Sequence, residues 1–155
     1  MTTTIERQVD IAASPEAVFD LVSDLHGYTR WLPSTGDDEG TSEISPPPIA
    51  VGTTYIERSR RGTRRGIVIA LARPDFVAFH QPMTLRPRLA GTIDSTVSMA
   101  VAATATGARV TRRVELGIPR RLALLRPLIV KRYTRESERM LASLRAYAER
   151  KGPAS

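Results

Sequence analysis

A chain of 155 residues, 41% of them hydrophobic, is long enough to bury a core without disulfides or metal, and we expect a single domain over residues 1–155. The absence of cysteine excludes disulfides and cysteine-based metal or thiol sites. Two histidines far apart in sequence give no basis for a metal site, so we expect no metal and no cofactor. The formal charge of +7 allows an anionic partner, but excess arginine also serves solubility, so charge alone identifies none.

The N-terminus lacks the basic and apolar segments of a signal peptide, and no run approaches the roughly 20 apolar residues of a membrane span. We therefore expect a cytoplasmic protein. Alternation over Thr4–Ile11 predicts a strand with one buried face, on which Arg7 is the one charged residue. Ser14 is a helix N-cap, and it predicts a helix over Pro15–Asp24. Residues Tyr28–Pro33 predict one further helical turn that ends at a proline.

The middle of the chain is predicted to form strands. Ser34–Gly52 has the composition of a loop, with one short edge strand near Thr41–Ser45. Short turn sequences separate the later runs, which predicts antiparallel hairpins, whereas Met83–Gly91 is predicted as a longer loop. The remaining predicted strands are Thr53–Ser59, Arg64–Ala72, Phe76–Gln81, Ile93–Ala103 and Arg109–Leu116.

The last segment predicts a long amphipathic helix over Leu128–Arg150. Pro127 should mark a break, leaving Pro119–Arg126 as a separate short helical piece. A helix of this length needs an apolar surface to receive it, and Ser137 is the one polar residue in its apolar stripe. The other members of the stripe are Ile129, Val130, Tyr133, Met140, Leu141, Leu144, Tyr147 and Ala148.

The order of strand, two short helices, about six antiparallel strands and a long helix is typical of an α+β fold with the helix against one curved sheet. The residues Ile11–Phe19, Tyr28 and Trp31–Pro33, with Leu124–Leu128 leading into the last helix, resemble the START-like or SRPBCC superfamily. The resemblance is to its polyketide cyclase/dehydrase and lipid-transport branch. It implies a helix-grip fold, in which a seven-stranded antiparallel sheet wraps round the C-terminal helix and leaves a hydrophobic cavity between them.

A cavity also follows from shape, because a strongly curved sheet cannot press its whole inner face onto one helix. The strand Ile93–Ala103 supplies mostly small side chains to fill that gap. The alternative is that leucine and methionine fill it as ordinary core. If a cavity exists, we expect its ligand to contact Tyr28, Trp31, Val97, Met99, Arg112, Tyr133, Ser137, Met140 and Leu144.

Two polar residues are weak candidates for chemistry in such a cavity. Alternation places Arg112 on the face of Val110 and Val114, where it could anchor a carboxylate or phenolate. It places His80 on the face of Phe76, where it could move a proton near neutral pH. Each residue could instead face solvent or pair with a carboxylate. Further candidates, weaker still, are Glu57, Asp94 and Ser137.

Three functions remain open, since no catalytic motif is present and the sequence does not decide whether the chain is an enzyme. The first is binding or transport of a small hydrophobic molecule, such as a lipid, fatty acid, isoprenoid or polyketide. The second is a polyketide cyclase or dehydratase that uses the same cavity.

The third is a basic interaction module for RNA or anionic membrane. Nucleic acid is not the expected partner, but arginines round the cavity mouth could dock the protein transiently on anionic lipid. These are Arg58, Arg60, Arg61, Arg64 and Arg65 near one hairpin, with Arg86 and Arg88 in the long loop.

Overall fold

The computed structural model describes residues 2–32 and 38–151. Three helices lie in that part of the chain: α1 Pro15–Ser23, α2 Tyr28–Trp31 and α3 Arg126–Arg150. Three 3₁₀ turns accompany them, at Leu25–Gly27, Arg88–Ala90 and Arg120–Leu125. The strands are β1 Thr2–Ile11, β2 Asp38–Ser42, β3 Thr54–Ser59, β4 Gly62–Ala72, β5 Phe76–His80, β6 Met83–Leu85, β7 Thr92–Thr104 and β8 Gly107–Gly117.

All the described strands form one antiparallel sheet in the order β1-β8-β7-β5-β4-β3-β2, with β6 paired to both β4 and β7. The predicted α+β class and helix-grip architecture are confirmed. The sheet has eight strands rather than seven, because Met83–Leu85 forms β6 where a loop was predicted. Proline on both sides of this short strand, at Pro82 and Pro87, concealed it in the sequence.

The N-terminal elements follow the sequence closely. The Ser14 hydroxyl accepts a hydrogen bond from the Ala17 backbone N–H, as expected of an N-cap, and Pro15 occupies the first turn of α1. The edge strand β2 lies earlier than the predicted Thr41–Ser45. Glu43, directly after it, has a left-handed backbone (φ 49°), which ends the extended conformation. The predicted stop at Pro33 lies outside the described residues.

The long helix α3 begins at Arg126, and Pro127 sits in its first turn, where its missing N–H removes no helical hydrogen bond. The preceding 3₁₀ turn, Arg120–Leu125, is the separate piece that the sequence predicted. Helix α3 packs along β1 and β8 and contacts α1 and α2. Its buried residues are Tyr133, Ser137, Met140, Leu141, Leu144 and Ala148. No helix of residues 2–32 and 38–151 is both long enough and apolar enough to cross a membrane.

One close contact fixes the sheet beneath the helix. Tyr55 on β3 lies opposite Gly66 on β4, and its ring covers the glycine so tightly that an added Cβ would stand 2.1 Å from the ring. The same ring packs edge to face on Phe79, with 5.9 Å between centroids. Gly66 is therefore a site of close approach between a backbone and an aromatic ring.

We predict that Gly66→Ala lowers the free energy of unfolding by roughly 1–3 kcal/mol, because the new methyl group displaces the Tyr55 ring. Urea denaturation of the variant and its parent measures the loss. In a Tyr55→Ala background the ring is gone, so the same Gly66→Ala change should cost little. An equal cost in both backgrounds would contradict the contact.

Candidate functional site

Four charged residues meet under one edge of α3. Strands β3 and β4 bring Glu57 and Arg64 directly opposite each other, since the two residues are partners in the register. Strand β8 contributes Arg112, and α3 contributes Glu136. Two arginines from the sheet thus face two carboxylates, one from the sheet and one from the helix.

The strongest contact joins the sheet to the helix. Arg64 donates two parallel hydrogen bonds to the Glu136 carboxylate, from Nη1 to Oε1 at 2.7 Å and from Nη2 to Oε2 at 2.8 Å. Glu57 Oε1 lies 3.6 Å from the same Nη1 atom. The Tyr133 ring stacks on the guanidinium, with Cζ 5.2 Å from the ring centroid. The Arg64 side chain is 14% exposed and the Glu136 side chain 31%, so the pair is partly shielded from water.

The pair keeps both partners ionised. Burial alone raises the pKa of Glu136, but the charge and hydrogen bonds of Arg64 outweigh it, and the pKa falls to about 2. Burial lowers the pKa of Arg64, and the charge of Glu136 more than offsets this, so that pKa lies well above its ordinary value. The carboxylate therefore stays negative at any ordinary pH.

Arg112 is buried on the helix-facing side of β8, as the alternation predicted. Its Nε donates to the Ser137 hydroxyl at 3.1 Å, and its Nη1 contacts the Met140 sulfur at 2.7 Å. Glu136 is the nearby carboxylate, 3.9 Å from Nη2. Burial lowers the pKa of Arg112, and the charge of Glu136 opposes that shift only in part.

A small inner pocket lies between α3 and the sheet, beside Arg112. Its volume is about 30 Å³, enough for one or two water molecules. The Tyr55 hydroxyl donates to Gln81, and the Tyr28 hydroxyl donates to the Val22 carbonyl. Burial raises the pKa of both tyrosines, so both stay protonated at neutral pH. The lining residues are Leu25, Tyr28, Leu32, Tyr55, Glu57, Phe79, Gln81, Val97, Met99, Arg112, Glu136 and Met140.

A larger cleft of about 280 Å³ lies between α3 and the β3–β4 hairpin. It shares Leu32, Glu57, Glu136 and Met140 with the inner pocket, so the two spaces adjoin. Its lining includes six arginines and two glutamates, a net charge of +4. The full lining is Leu32, Glu57, Arg58, Ser59, Arg61, Arg64, Met83, Arg132, Tyr133, Arg135, Glu136, Arg139 and Met140.

A family model described as polyketide cyclase / dehydrase and lipid transport matches residues 2–149. The chain belongs to this family. No curated protein matches it in sequence.

Solved structures share the fold over nearly the whole chain. A norcoclaurine synthase point mutant from Thalictrum flavum, in complex with a transition-state analogue, has a TM-score of 0.74 at 17% identity, covering 98% of each chain. The two-domain ARO/CYC BexL of the BE-7585A biosynthetic pathway has a TM-score of 0.73 at 15% identity, covering 96% of this chain and 50% of that one. A Mesorhizobium loti protein has a TM-score of 0.68 at 17% identity, covering 97% and 99%. At these identities the likeness concerns the fold alone.

Within this family fold, the expected open hydrophobic cavity is mostly filled. Tyr28, Tyr55, Phe79 and the Arg112 side chain occupy much of the gap between sheet and helix, so the space left there by the described residues is the small inner pocket and the cleft that adjoins it. Four of the residues predicted to contact a ligand line that pocket without lining the cleft, namely Tyr28, Val97, Met99 and Arg112. Tyr133 lines the cleft, and Met140 lines both spaces. Trp31, Ser137 and Leu144 are buried in the packing beside them.

The structure places His80 away from both spaces. Its Nε2 lies 2.7 Å from the Asp94 carboxylate, and both side chains are substantially exposed. Strand β5 is apolar on both faces, so alternation could not decide which face meets the helix. The helix-facing residues are Val77 and Phe79, which pair with Met99 and Val97, and His80 therefore lies on the opposite face.

The predicted docking arginines do not form one surface. Arg64 points inward to Glu136, which corrects its assignment to the surface. Arg58 forms an ion pair with Glu43 and lines the cleft with Arg61. Arg65 lies on the other side of β4, against the segment that follows β6.

The sequence reasoning missed Glu136. At 100° per residue, Glu136 stands about 60° from Tyr133, as far to one side of the apolar stripe as Val130 stands to the other. From that position the sequence could have indicated that the Glu136 carboxylate lies at the edge of the buried face of the helix. Among the described residues no group of His, Asp and Glu is arranged to hold a metal ion.

We predict that Glu136→Gln lowers the free energy of unfolding by roughly 3 kcal/mol at neutral pH, because it leaves two shielded arginines facing one carboxylate fewer. A carboxyl whose pKa is depressed in the folded state stabilises the protein above its ordinary pKa of 4.5 and loses that contribution as the pH falls toward about 2. The difference in the free energy of unfolding between parent and variant should therefore become smaller as the pH falls from 4.5 toward about 2. Urea denaturation at a series of pH values measures it.

Glu138→Gln is the matched control on the same helix. Glu138 forms an exposed ion pair with Arg7 at 3.2 Å, so its loss should cost only about 0–1 kcal/mol. If the Glu136→Gln variant is no less stable than the Glu138→Gln variant, the ion pair between Arg64 and Glu136 does not stabilise the packing of the helix.

Proposed function

We propose that the protein binds a small molecule with an apolar body and an acidic group, in the cleft between α3 and the β3–β4 hairpin. Fatty acids and polyketide-like acids are ligands of this kind. The observation that carries the proposal is the cleft itself, where a net charge of +4 surrounds an apolar floor. Membership of the polyketide cyclase / dehydrase and lipid transport family supports a ligand with a large apolar part.

The floor of the cleft supplies the apolar contact. Met83, Tyr133 and Met140 are buried residues whose side chains reach the cleft, and Leu32 closes it from the α2 side. Methionine and tyrosine side chains adapt well to an apolar ligand. A volume of about 280 Å³ lies close to the low end of the range found for small-molecule sites.

The arginines at the rim of the cleft supply the specificity for an acidic ligand. Arg132 and Arg135 project from the exposed side of α3, and Arg61 faces them from the β3–β4 turn. Guanidinium groups bind carboxylates with two parallel hydrogen bonds, so a ligand acid has several possible partners here. Arg64 is already bound to Glu136, which leaves the rim rather than the floor to hold the acid.

The fixed protonation of the buried groups also supports binding over proton transfer. Glu136 has a pKa of about 2, and burial raises the pKa values of Tyr28 and Tyr55. Acid–base catalysis works best with groups that titrate near the working pH. These three groups instead keep one charge state throughout the neutral range, which suits a site that binds and releases its ligand unchanged.

Two fluorescent probes test the acidic group directly. 8-Anilinonaphthalene-1-sulfonate and N-phenyl-1-naphthylamine share the same aromatic rings, and only the first carries an acid. We expect the sulfonate probe to bind at least about tenfold more tightly, since a charge-assisted hydrogen bond contributes roughly 1.5–3 kcal/mol. Titration of each probe by fluorescence measures the two affinities.

Arg132→Gln should weaken binding of the sulfonate probe by about tenfold and leave the neutral probe unchanged. Arg113→Gln is the matched control, because Arg113 lies on β8 with its side chain away from Arg112 and pairs with Glu115. Equal affinities for the two probes, or equal effects of the two substitutions, would show that the cleft does not select an acid.

A further inference from the structure

Four leucines stand on the surface near the start of α3, and we refer to them as the leucine patch. Leu124 is 97% exposed, Leu89 86%, Leu128 54% and Leu125 50%. Single exposed leucines are common on proteins, but four from two neighbouring segments form an apolar area that calls for a partner.

The structure brings the two segments together. Arg121 donates a hydrogen bond from Nη1 to the Leu89 carbonyl at 2.6 Å, which joins the 3₁₀ turn Arg120–Leu125 to the turn Arg88–Ala90. In a 3₁₀ turn, residues three apart lie above one another, so Leu124 stands on the same side of the turn as Arg121, whose side chain reaches the Leu89 carbonyl. Leu125 and Leu128 continue the patch into the first turn of α3.

Both segments that carry the patch are basic. No aspartate or glutamate occurs between Gln81 and Ile93, or between Leu116 and Arg135. These two stretches carry eight basic residues, namely Arg86, Arg88, Arg120, Arg121, Arg126, Lys131, Arg132 and Arg135. Exposed leucines thus stand among cations with no acidic residue in either segment.

We propose that the leucine patch is a docking surface for an anionic lipid bilayer. The leucines enter the boundary between headgroups and acyl chains, and the arginines around them bind lipid phosphates and carboxylates. Neither signal is sufficient alone, because stable attachment of a peripheral protein takes an apolar and an electrostatic contribution together. A nucleic acid would use the arginines but would give no role to leucines, since bases stack on aromatic rings.

The patch also lies beside the cleft. Leu128, Arg132 and Arg135 are spaced four and three residues apart on α3, so they follow one face of the helix. Arg132 and Arg135 line the cleft, and the Arg86 backbone N–H donates to the Arg61 carbonyl at its other side. Docking through the leucine patch would bring the cleft close to the bilayer. The proposal of a docking surface does not depend on the cleft, because it is argued only from the exposed leucines and the basic residues around them.

Flotation with lipid vesicles in physiological salt tests the proposal. The full chain should float with vesicles of phosphatidylcholine and phosphatidylserine and should bind vesicles of phosphatidylcholine alone at least about tenfold more weakly. Leu89→Ser combined with Leu124→Ser should reduce binding to the anionic vesicles by about tenfold. Both leucines are highly exposed, so the variant should unfold at the same temperature as its parent and should still bind 8-anilinonaphthalene-1-sulfonate.

Val51→Ser combined with Ile69→Ser is the matched control, because both residues are exposed apolar side chains outside the patch. It should float as the parent does. The proposal fails if the two leucine substitutions leave flotation unchanged, if the control reduces it equally, or if neutral and anionic vesicles bind alike. Retention of polyuridylic acid together with failure to float would assign the basic surface to nucleic acid and would equally overturn the proposal.

Discussion

The position of α3 over the sheet depends on the need to neutralise arginines that the sheet buries. A guanidinium held away from water is costly unless a carboxylate faces it. Arg64 and Arg112 enter from β4 and β8, and Glu136 is hydrogen-bonded to the first and lies 3.9 Å from the second. Because these bonds have a fixed geometry, they add a directional contact to the packing of the helix along β1 and β8. The cleft forms along the side of α3 on which this contact lies.

This arrangement divides the charges around the cleft into an inner set, which joins the sheet to the helix, and a rim of further arginines. Inside, two arginines face Glu57 and Glu136. Outside, the rim keeps an excess of arginine over an apolar floor. Members of one fold carry many different activities, and the site rather than the fold decides among them. Here the small inner pocket and the basic rim are the reasons for which we propose an amphipathic acid rather than a wholly apolar ligand.

The sequence predicted the features that depend on local patterns, such as which side of a strand or helix is buried. Alternation assigned Arg112 to the buried face of β8, and the helical stripe identified Tyr133, Ser137 and Met140. Sequence patterns did not predict the features that depend on pairing between residues far apart in the chain. Strand β5 is apolar on both faces, so His80 could not be assigned. Arg64 was taken for a surface cation because its carboxylate partner lies 72 residues away. The filling of the cavity depends on the Tyr55 ring covering Gly66 across two strands, which no local pattern reveals.

Methyl NMR on the methionine side chains tests the central claim, that the cleft holds an amphipathic acid. The chain has four methionines, of which Met83 and Met140 line the cleft and Met99 lines the inner pocket without lining the cleft. With carbon-13-labelled methyl groups assigned by single Met→Leu variants, decanoate should shift the signals of Met83 and Met140 more than that of Met99. Decanol should produce the same shifts only at higher concentrations. Decanoate that left both cleft signals in place, or decanol that bound as tightly, would contradict the account.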